Sequence, residues 1–224
     1  MRTGFLASCL VVACGTLAPA AGAATFTNST PIVVPPSPGS GVATPYPSTI
    51  SVSDQPGTTV KARVSFTIAV AAWRDIDALL VGPGGNSILM SDVCGTNASS
   101  AINVSVTFDD EASQSLFASC PPTPSAGDYK PTNFDTADSF PGVAPPYLIG
   151  LSNFRGLSPN GAWQLYVNDD TAGDQVTING WTLDLTTTGA PSPPPATRAK
   201  KKCKNKHRRA AEAKKKRCKK KRKR

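Results

Sequence analysis

The chain has 224 residues, with 24 Lys and Arg, 15 Asp and Glu, and a formal net charge of +9. Its 18 Gly and 21 Pro, with only 17% charged residues, disfavour a helical bundle and favour short strands joined by turns. No apolar run of about 20 residues follows the N-terminal segment, so we expect no membrane span. The single His207 lies in a basic tail, which excludes a Ser-His-Asp or Cys-His site in the globular part.

Residues 1–23 are typical of a secretory signal peptide. Arg2 supplies the positive start, Phe5–Ala13 is a short apolar stretch, and Ala21–Ala23 is a small-x-small site for cleavage. We therefore expect an extracellular or cell-surface protein. Two alternatives stay open: a bacterial lipobox whose acylated Cys14 would tether the protein to a membrane, and a buried N-terminal helix.

Apolar residues at every second position predict strands through the body of the chain. These segments are 60–70, 102–108, 163–167 and 176–185. In the last of them the alternation changes phase at Asn179-Gly180, which predicts a bulge or a tight turn. Ile76–Val81 and Ser87–Met90 flank a Gly- and Pro-rich hairpin loop. About eight strands in roughly 160 residues predict an all-β, two-sheet sandwich of the jelly-roll type.

Two cysteines lie in the body of the chain, Cys94 and Cys120. Export implies an oxidising compartment, so we expect them to form a disulfide. The bridge would close about 26 residues and contribute roughly 3 kcal/mol. The alternative is two buried free thiols. Residues 118–146 are rich in Pro, Asp and Ser, and we expect a long ordered loop pinned by Cys120.

Four segments of the body form a pattern. In chain order they are Tyr46–Val52, Trp73–Asp92 (WRDIDALLVGPGGNSILMSD), Tyr129–Asn133 and Ser158–Leu183. In this order they resemble the P domain (P/Homo B module) that follows the catalytic domain of subtilisin-like proprotein convertases. The resemblance covers roughly residues 26–187 and implies a galactose-binding-like jelly roll. It points to a stand-alone secreted form, since the family's catalytic triad has no counterpart here, and we expect no enzymatic activity.

The expected organisation has four parts: a signal peptide at 1–23, a P-domain-like sandwich at 24–187, a Pro-rich linker at 188–199 and a basic tail at 200–224. Charge divides along the same lines. Residues 24–197 hold five basic and 14 acidic residues, whereas residues 198–224 hold 18 basic residues and one Glu. An acidic body is thus joined to a strongly basic tail.

Carboxylates in turns are the candidate metal ligands. They lie at predicted strand ends and are Asp75, Asp77, Asp92, Asp169, Asp170 and Asp174. Hard cations take several oxygen ligands from such turns, so Ca²⁺ is the candidate cofactor. The alternative is that these carboxylates accept backbone N–H bonds in turns. Asp109–Glu111 is a third acidic cluster, and a glycosidase would require two convergent carboxylates in a cleft.

Aromatic residues in loops suggest carbohydrate as a further partner. The candidates are Trp73, Tyr129, Phe134, Phe140 and Tyr147. The alternative is that they pack in the core or pin loops. Trp163 and Trp181 are in phase with core residues, so we expect them to be buried.

The tail has no apolar face, so we expect it to be disordered or partly helical. Its candidate polyanion-binding residues are Lys200, Lys201, Lys202, Lys204, Arg208, Arg209, Lys214, Lys215, Lys216 and Arg217. Anionic lipids or envelope polymers are the expected partners, and nucleic acid would bind without sequence preference. Cys203 and Cys218 could cross-link chains or, with His207, hold zinc.

Three functional hypotheses follow. The first is a non-catalytic secreted P-domain-like module, binding or structural, retained at an anionic envelope by its tail. The second is an accessory module of a separate subtilisin-like serine protease. The third is an extracellular polyanion or DNA binder.

Overall fold

The alternating body of the sequence forms twelve β-strands in the computed structural model, which describes residues 21–34, 40–94, 101–117, 124–134, 137–173 and 175–189. The strands are β1 (Gly22–Asn28), β2 (Ile32–Val34), β3 (Gly41–Val42), β4 (Ser48–Val52), β5 (Thr59–Val70), β6 (Ile76–Gly82), β7 (Gly85–Ser91), β8 (Ala101–Phe108), β9 (Gly127–Tyr129), β10 (Thr132–Asn133), β11 (Gly161–Asp169) and β12 (Val176–Thr187). Two short 3-10 helices, Trp73–Asp75 and Leu151–Phe154, are the helical segments of these ranges.

The strands form two six-stranded sheets. The first sheet has the order β1-β12-β5-β8-β9, with β2 also paired to β12. The second has the order β10-β7-β6-β11-β3, with β4 also paired to β11. Neighbours are antiparallel except β8 with β9 and β7 with β10, which are parallel. This arrangement confirms the predicted all-β sandwich.

The core lies between the inward faces of the two sheets. In β5, every second residue from Ala62 to Val70 is at most 4% exposed, as the two-residue period of a strand requires. Trp163 of β11 and Trp181 of β12 are 0% and 1% exposed, which confirms their predicted burial. The period fails near the strand starts, where Val60 is 37% and Ile102 is 80% exposed.

The change of phase in β12 is a β-bulge. Its register with β5 shifts between Ile178 and Trp181, and Gly180 there has φ +89°. Glycine adopts this φ without a Cβ clash, so the bulge lets β12 keep apolar residues inward on both sides of it. The hairpin between β6 and β7, with Pro83 and Gly84 between the strands, is also as predicted.

Two other expectations differ from the structure. There are twelve strands rather than about eight, because β2, β3, β9 and β10 are only two or three residues long and show no readable period. Residues 118–146 are not one loop, since β9 and β10 lie within them. Each of these two strands pairs in parallel with a strand earlier in the chain, which local sequence does not encode.

Several predictions lie outside the described residues: the signal segment up to residue 20, Cys14, Cys120, Asp174 and the chain from residue 190 onward. β1 begins at Gly22, two residues before the predicted mature start. Its pairing with β12 continues from Ala24 to Asn28, so cleavage after Ala23 would leave five paired residues. Within the described ranges, we find no helix with the length and apolarity needed to cross a membrane.

Candidate functional site

Three carboxylates from separate segments converge beside the second sheet. Asp77 is the second residue of β6, opposite Asn168 of β11, and Asp170 directly follows β11. Asp138 comes from the segment after β10. One carboxylate oxygen from each residue lies within 4.8 Å of the other two. We call Asp77, Asp138 and Asp170 the acidic cluster.

Asp77 is the buried member of the acidic cluster, with 3% of its surface exposed. Burial raises the pKa of Asp77 to about 8, and the carboxylate of Asp138 adds to the rise. A hydrogen bond from Ser91 opposes these effects, whereas Asp92 and Asp170 add smaller increases. At neutral pH the Asp77 carboxyl is therefore either protonated or paired with a cation.

Ser91 connects several of these carboxylates. Its hydroxyl donates to Asp138 Oδ2 and lies 3.4 Å from Asp92 Oδ2, and it also bonds Asp77. A serine hydroxyl has one proton, so it can donate to one acceptor at a time.

Calcium takes six to eight oxygen ligands and favours carboxylates. The acidic cluster can offer three such oxygens, leaving carbonyls and water to complete the shell.

The structure distributes the predicted metal ligands between two roles. It brings Asp77 and Asp170 together, and Asp92 lies close enough to affect the pKa of Asp77. Asp75 instead pairs with Arg74, whose Nε lies 3.0 Å from its carboxylate. Asp169 accepts the Thr171 amide at 3.1 Å, the turn-stabilising alternative.

Asp138 is a member of the acidic cluster that sequence reasoning missed. It lies in the Pro- and Asp-rich stretch where no period assigns a direction to a side chain. The parallel pairing of β10 with β7 brings this stretch beside Ser91. Asp77 and Asp138 are 61 residues apart in the sequence, and we find no motif that links them.

The Asp109–Glu111 cluster is a structural ion-pair network. Asp109 Oδ2 lies 3.0 Å from Lys61 Nζ and 2.8 Å from Arg63 Nε. Burial alone would raise the pKa of Asp109, but the Glu111 amide and the two cations hold it below its usual value. Asp110 accepts the amides of Leu151 and Ser152 at 2.8 and 2.6 Å, and so anchors the second 3-10 helix.

Most of the aromatic residues predicted to bind sugar are in the core. Trp73, Tyr129 and Phe140 are 0–1% exposed, so for them the alternative of core packing is confirmed. Tyr147 packs edge-on against Phe140 and donates its hydroxyl to Val143 O at 2.8 Å. Phe134 is 46% exposed. Packing in the core or against neighbouring loop residues accounts for the positions of Trp73, Tyr129, Phe140 and Tyr147.

Cys94 is 0% exposed and disulfide-bonded. It has φ +66°, and it is the one cysteine within the described ranges. Cys120 lies outside those ranges, so the pairing of Cys94 with Cys120 stays a prediction.

Comparison with known proteins gives one family match. The family model for the proprotein convertase P-domain matches residues 59–185, more than half of the chain. Among solved structures, the Aeromonas sobria serine protease in complex with its chaperone is similar at 16% identity, with a TM-score of 0.36. That match covers 77% of this chain and 28% of that chain. A comparison with curated proteins finds no match.

Proposed function

The chain belongs to the proprotein convertase P-domain family, and from this premise we propose that it is a non-catalytic module retained outside the cell by its basic tail. In proprotein convertases the P domain is an accessory, not a catalytic, part. The observation that carries the proposal is the charge division: 18 basic residues and one Glu in residues 198–224 follow a body with five basic and 14 acidic residues.

Electrostatics gives the retention mechanism. Near an anionic surface each Lys or Arg contributes about 1 kcal/mol, and salt screens the attraction within about 10 Å at 0.1 M. Residues 188–199 are rich in Pro, Thr and Ser, and extended at about 3.1 Å per residue they would span roughly 35–40 Å. The tail would therefore bind the envelope, while the acidic sandwich, which the anionic surface repels, would stay in solution.

Cell fractionation tests the proposal. We compare the full chain with a version ending at Thr197 and wash the envelope fraction with increasing salt. The full chain should stay on the envelope and elute with salt, whereas the truncated chain should enter the medium. A third version with the order of residues 198–224 shuffled should behave like the full chain, because net charge rather than order supports binding.

Other outcomes would contradict retention by charge. If both chains enter the medium equally, the tail serves another partner, and a protease complex or DNA becomes the leading alternative. If both stay bound and resist salt, lipidation at Cys14 explains the retention. If the shuffled tail fails, a specific tail-binding partner is required.

The acidic cluster supports a second part of the proposal, that the sandwich binds Ca²⁺. The observation in its favour is the convergence of three carboxylate oxygens within 4.8 Å, one of them on the buried Asp77. A divalent cation there would neutralise charges that otherwise repel one another across a short distance.

Thermal unfolding of the full chain tests calcium binding. After treatment with EDTA, added CaCl₂ should raise the Tm of the wild type and leave that of Asp138→Asn unchanged. Asp54→Asn is the matched control, since Asp54 is exposed, lies outside the acidic cluster and has φ +59°, a conformation that Asn tolerates. A Tm indifferent to both EDTA and CaCl₂ would end the calcium proposal.

A further inference from the structure

A groove of about 310 Å³ crosses the outer face of the first sheet, away from the acidic cluster. Segments of β1, β12, β5 and β8 line it, and the bulge at Asn179 and Gly180 lies in its wall. The bulge leaves Thr67 of β5 without a regular partner on β12, since the pairs on either side are Ile68 with Ile178 and Phe66 with Trp181. This interruption opens the groove in the otherwise continuous sheet face.

Hydroxyl groups run across the groove in two rows. The first row follows the register of four neighbouring strands: Thr27 pairs with Thr182, Thr182 with Ser65, and Ser65 with Thr107. The second row contains Thr67 and Ser105, which are paired on β5 and β8. Neighbouring strands lie about 4.8 Å apart, so the rows place hydroxyls at regular short intervals.

These hydroxyls keep hydrogen-bonding capacity for a ligand. Thr27 and Thr182 share a hydrogen bond of 3.2 Å, and Thr67 and Ser105 share one of 2.8 Å. Each hydroxyl has one proton and two lone pairs, and a bonded pair uses one proton and one lone pair. Each pair therefore still offers one donor and three acceptor sites.

The groove is neutral although the surrounding body is acidic. None of the described residues that line it is charged, and Asn28 and Asn179 add amide groups. The ion pairs of β5, from Lys61 and Arg63, lie outside the lining. A ligand suited to this surface has closely spaced groups that both donate and accept, and carries no charge.

We propose that this groove binds a neutral oligosaccharide through the hydroxyl rows of β1, β12, β5 and β8. A sugar ring carries several adjacent hydroxyls of matching donor and acceptor character, and the groove's volume reaches the lower range of small-ligand sites. The site is independent of both the tail and the acidic cluster. It replaces the loop aromatics as the carbohydrate-binding surface.

NMR titration of the ¹⁵N-labelled full chain tests the site. The probes are neutral tetrasaccharides of β-1,4-linked glucose, β-1,4-linked N-acetylglucosamine and α-1,4-linked glucose. We expect at least one to shift the amide signals of residues 65–67, 105–107 and 179–182 at millimolar concentration. A tetramer of galacturonic acid separates the tail from the groove, because its charge should direct it to the tail and away from the acidic body.

Matched variants locate the binding. Ser65→Ala with Thr107→Val should weaken the neutral probe at least roughly five-fold, since each lost hydrogen bond weakens binding by about that factor. Thr177→Val is the control: Thr177 also lies on the outer face of β12 but not in the groove. If the double variant does not fold, Thr182→Val takes its place. Absent shifts, shifts confined to other surfaces, or equal losses in variant and control would each overturn the proposal.

Discussion

At the scale of single residues, one hydroxyl connects the two sheets. Ser48 of β4 is 0% exposed, and its Oγ accepts Trp181 Nε1 of β12 at 3.0 Å and Asn28 Nδ2 of β1 at 3.2 Å. A buried indole N–H requires an acceptor, and the second sheet provides it here. This bond holds the bulged part of β12 against the opposite sheet.

We expect Ser48→Ala to reduce the free energy of unfolding by about 1–3 kcal/mol, because it leaves the buried Trp181 N–H without an acceptor. The control is Ser51→Ala on the exposed side of the same strand, which should change it by less than about 0.5 kcal/mol. Urea unfolding followed by Trp fluorescence measures both. Equal effects in the two variants would contradict the bridging role.

The raised pKa of Asp77 predicts that, in the absence of calcium, the stability of the fold depends on pH. Its pKa is about 8 in the folded protein against a usual 3.8, so between these values the folded state holds a proton that the unfolded chain has released. Stability contributed by this group is therefore lost as pH rises from about 4 to 8. In EDTA, Asp77→Asn should flatten the fall in Tm between pH 5 and 8, whereas Asp54→Asn should keep it. A wild-type Tm that rises over this range would contradict the assignment.

At the scale of the element, the bulge in β12 depends on Gly180. A Cβ at this position would lie 2.6 Å from Asn28 O and 2.9 Å from Ser29 Cα, both in the backbone. The end of β1 and the residue after it therefore pack directly on the bulge. The same bulge opens the groove and returns Trp181 to the core, so one glycine serves packing and surface shape.

Substitution of two glycines separates conformational strain from steric clash. Gly180 has φ +89°, and Gly173 has φ +127° with nothing within 4 Å of its Cβ position. Gly173→Ala should cost about 1 kcal/mol from φ alone, whereas Gly180→Ala should cost at least 1–2 kcal/mol more. Chemical unfolding measures the difference, and a smaller loss for Gly180→Ala would show that the backbone yields easily.

Strand periodicity made much of the fold predictable. The long strands β5, β11 and β12, the hairpin of β6 and β7, and the bulge all follow from the alternation of apolar residues. The short strands did not, since two or three residues form a strand only when a partner strand is present. Trp73, Tyr129 and Phe140 lie outside long periodic runs, so the sequence left core packing and sugar contact open for them, and the structure shows core packing.

At the scale of the whole molecule, a disulfide is expected to join the end of β7 to the segment before β9. Cys94 is buried and disulfide-bonded, and Phe117 O accepts its amide at 2.7 Å, three residues before Cys120 in the sequence. Peptide mass mapping without reduction should identify Cys94 linked to Cys120. Reduction should lower stability by roughly 3 kcal/mol. A Cys94 linked to any other cysteine would contradict the pairing.

The sequence by itself determined the strand-rich fold, the family resemblance, the burial of Trp163 and Trp181 and the division of charge, since each is a local pattern or a sum along the chain. Tertiary structure alone decided that Asp138 joins Asp77 and Asp170, that Asp75 pairs with Arg74, and that hydroxyls of four strands align in one groove. These arrangements depend on strand register and sheet order. Register depends on packing between distant segments, which no local pattern encodes.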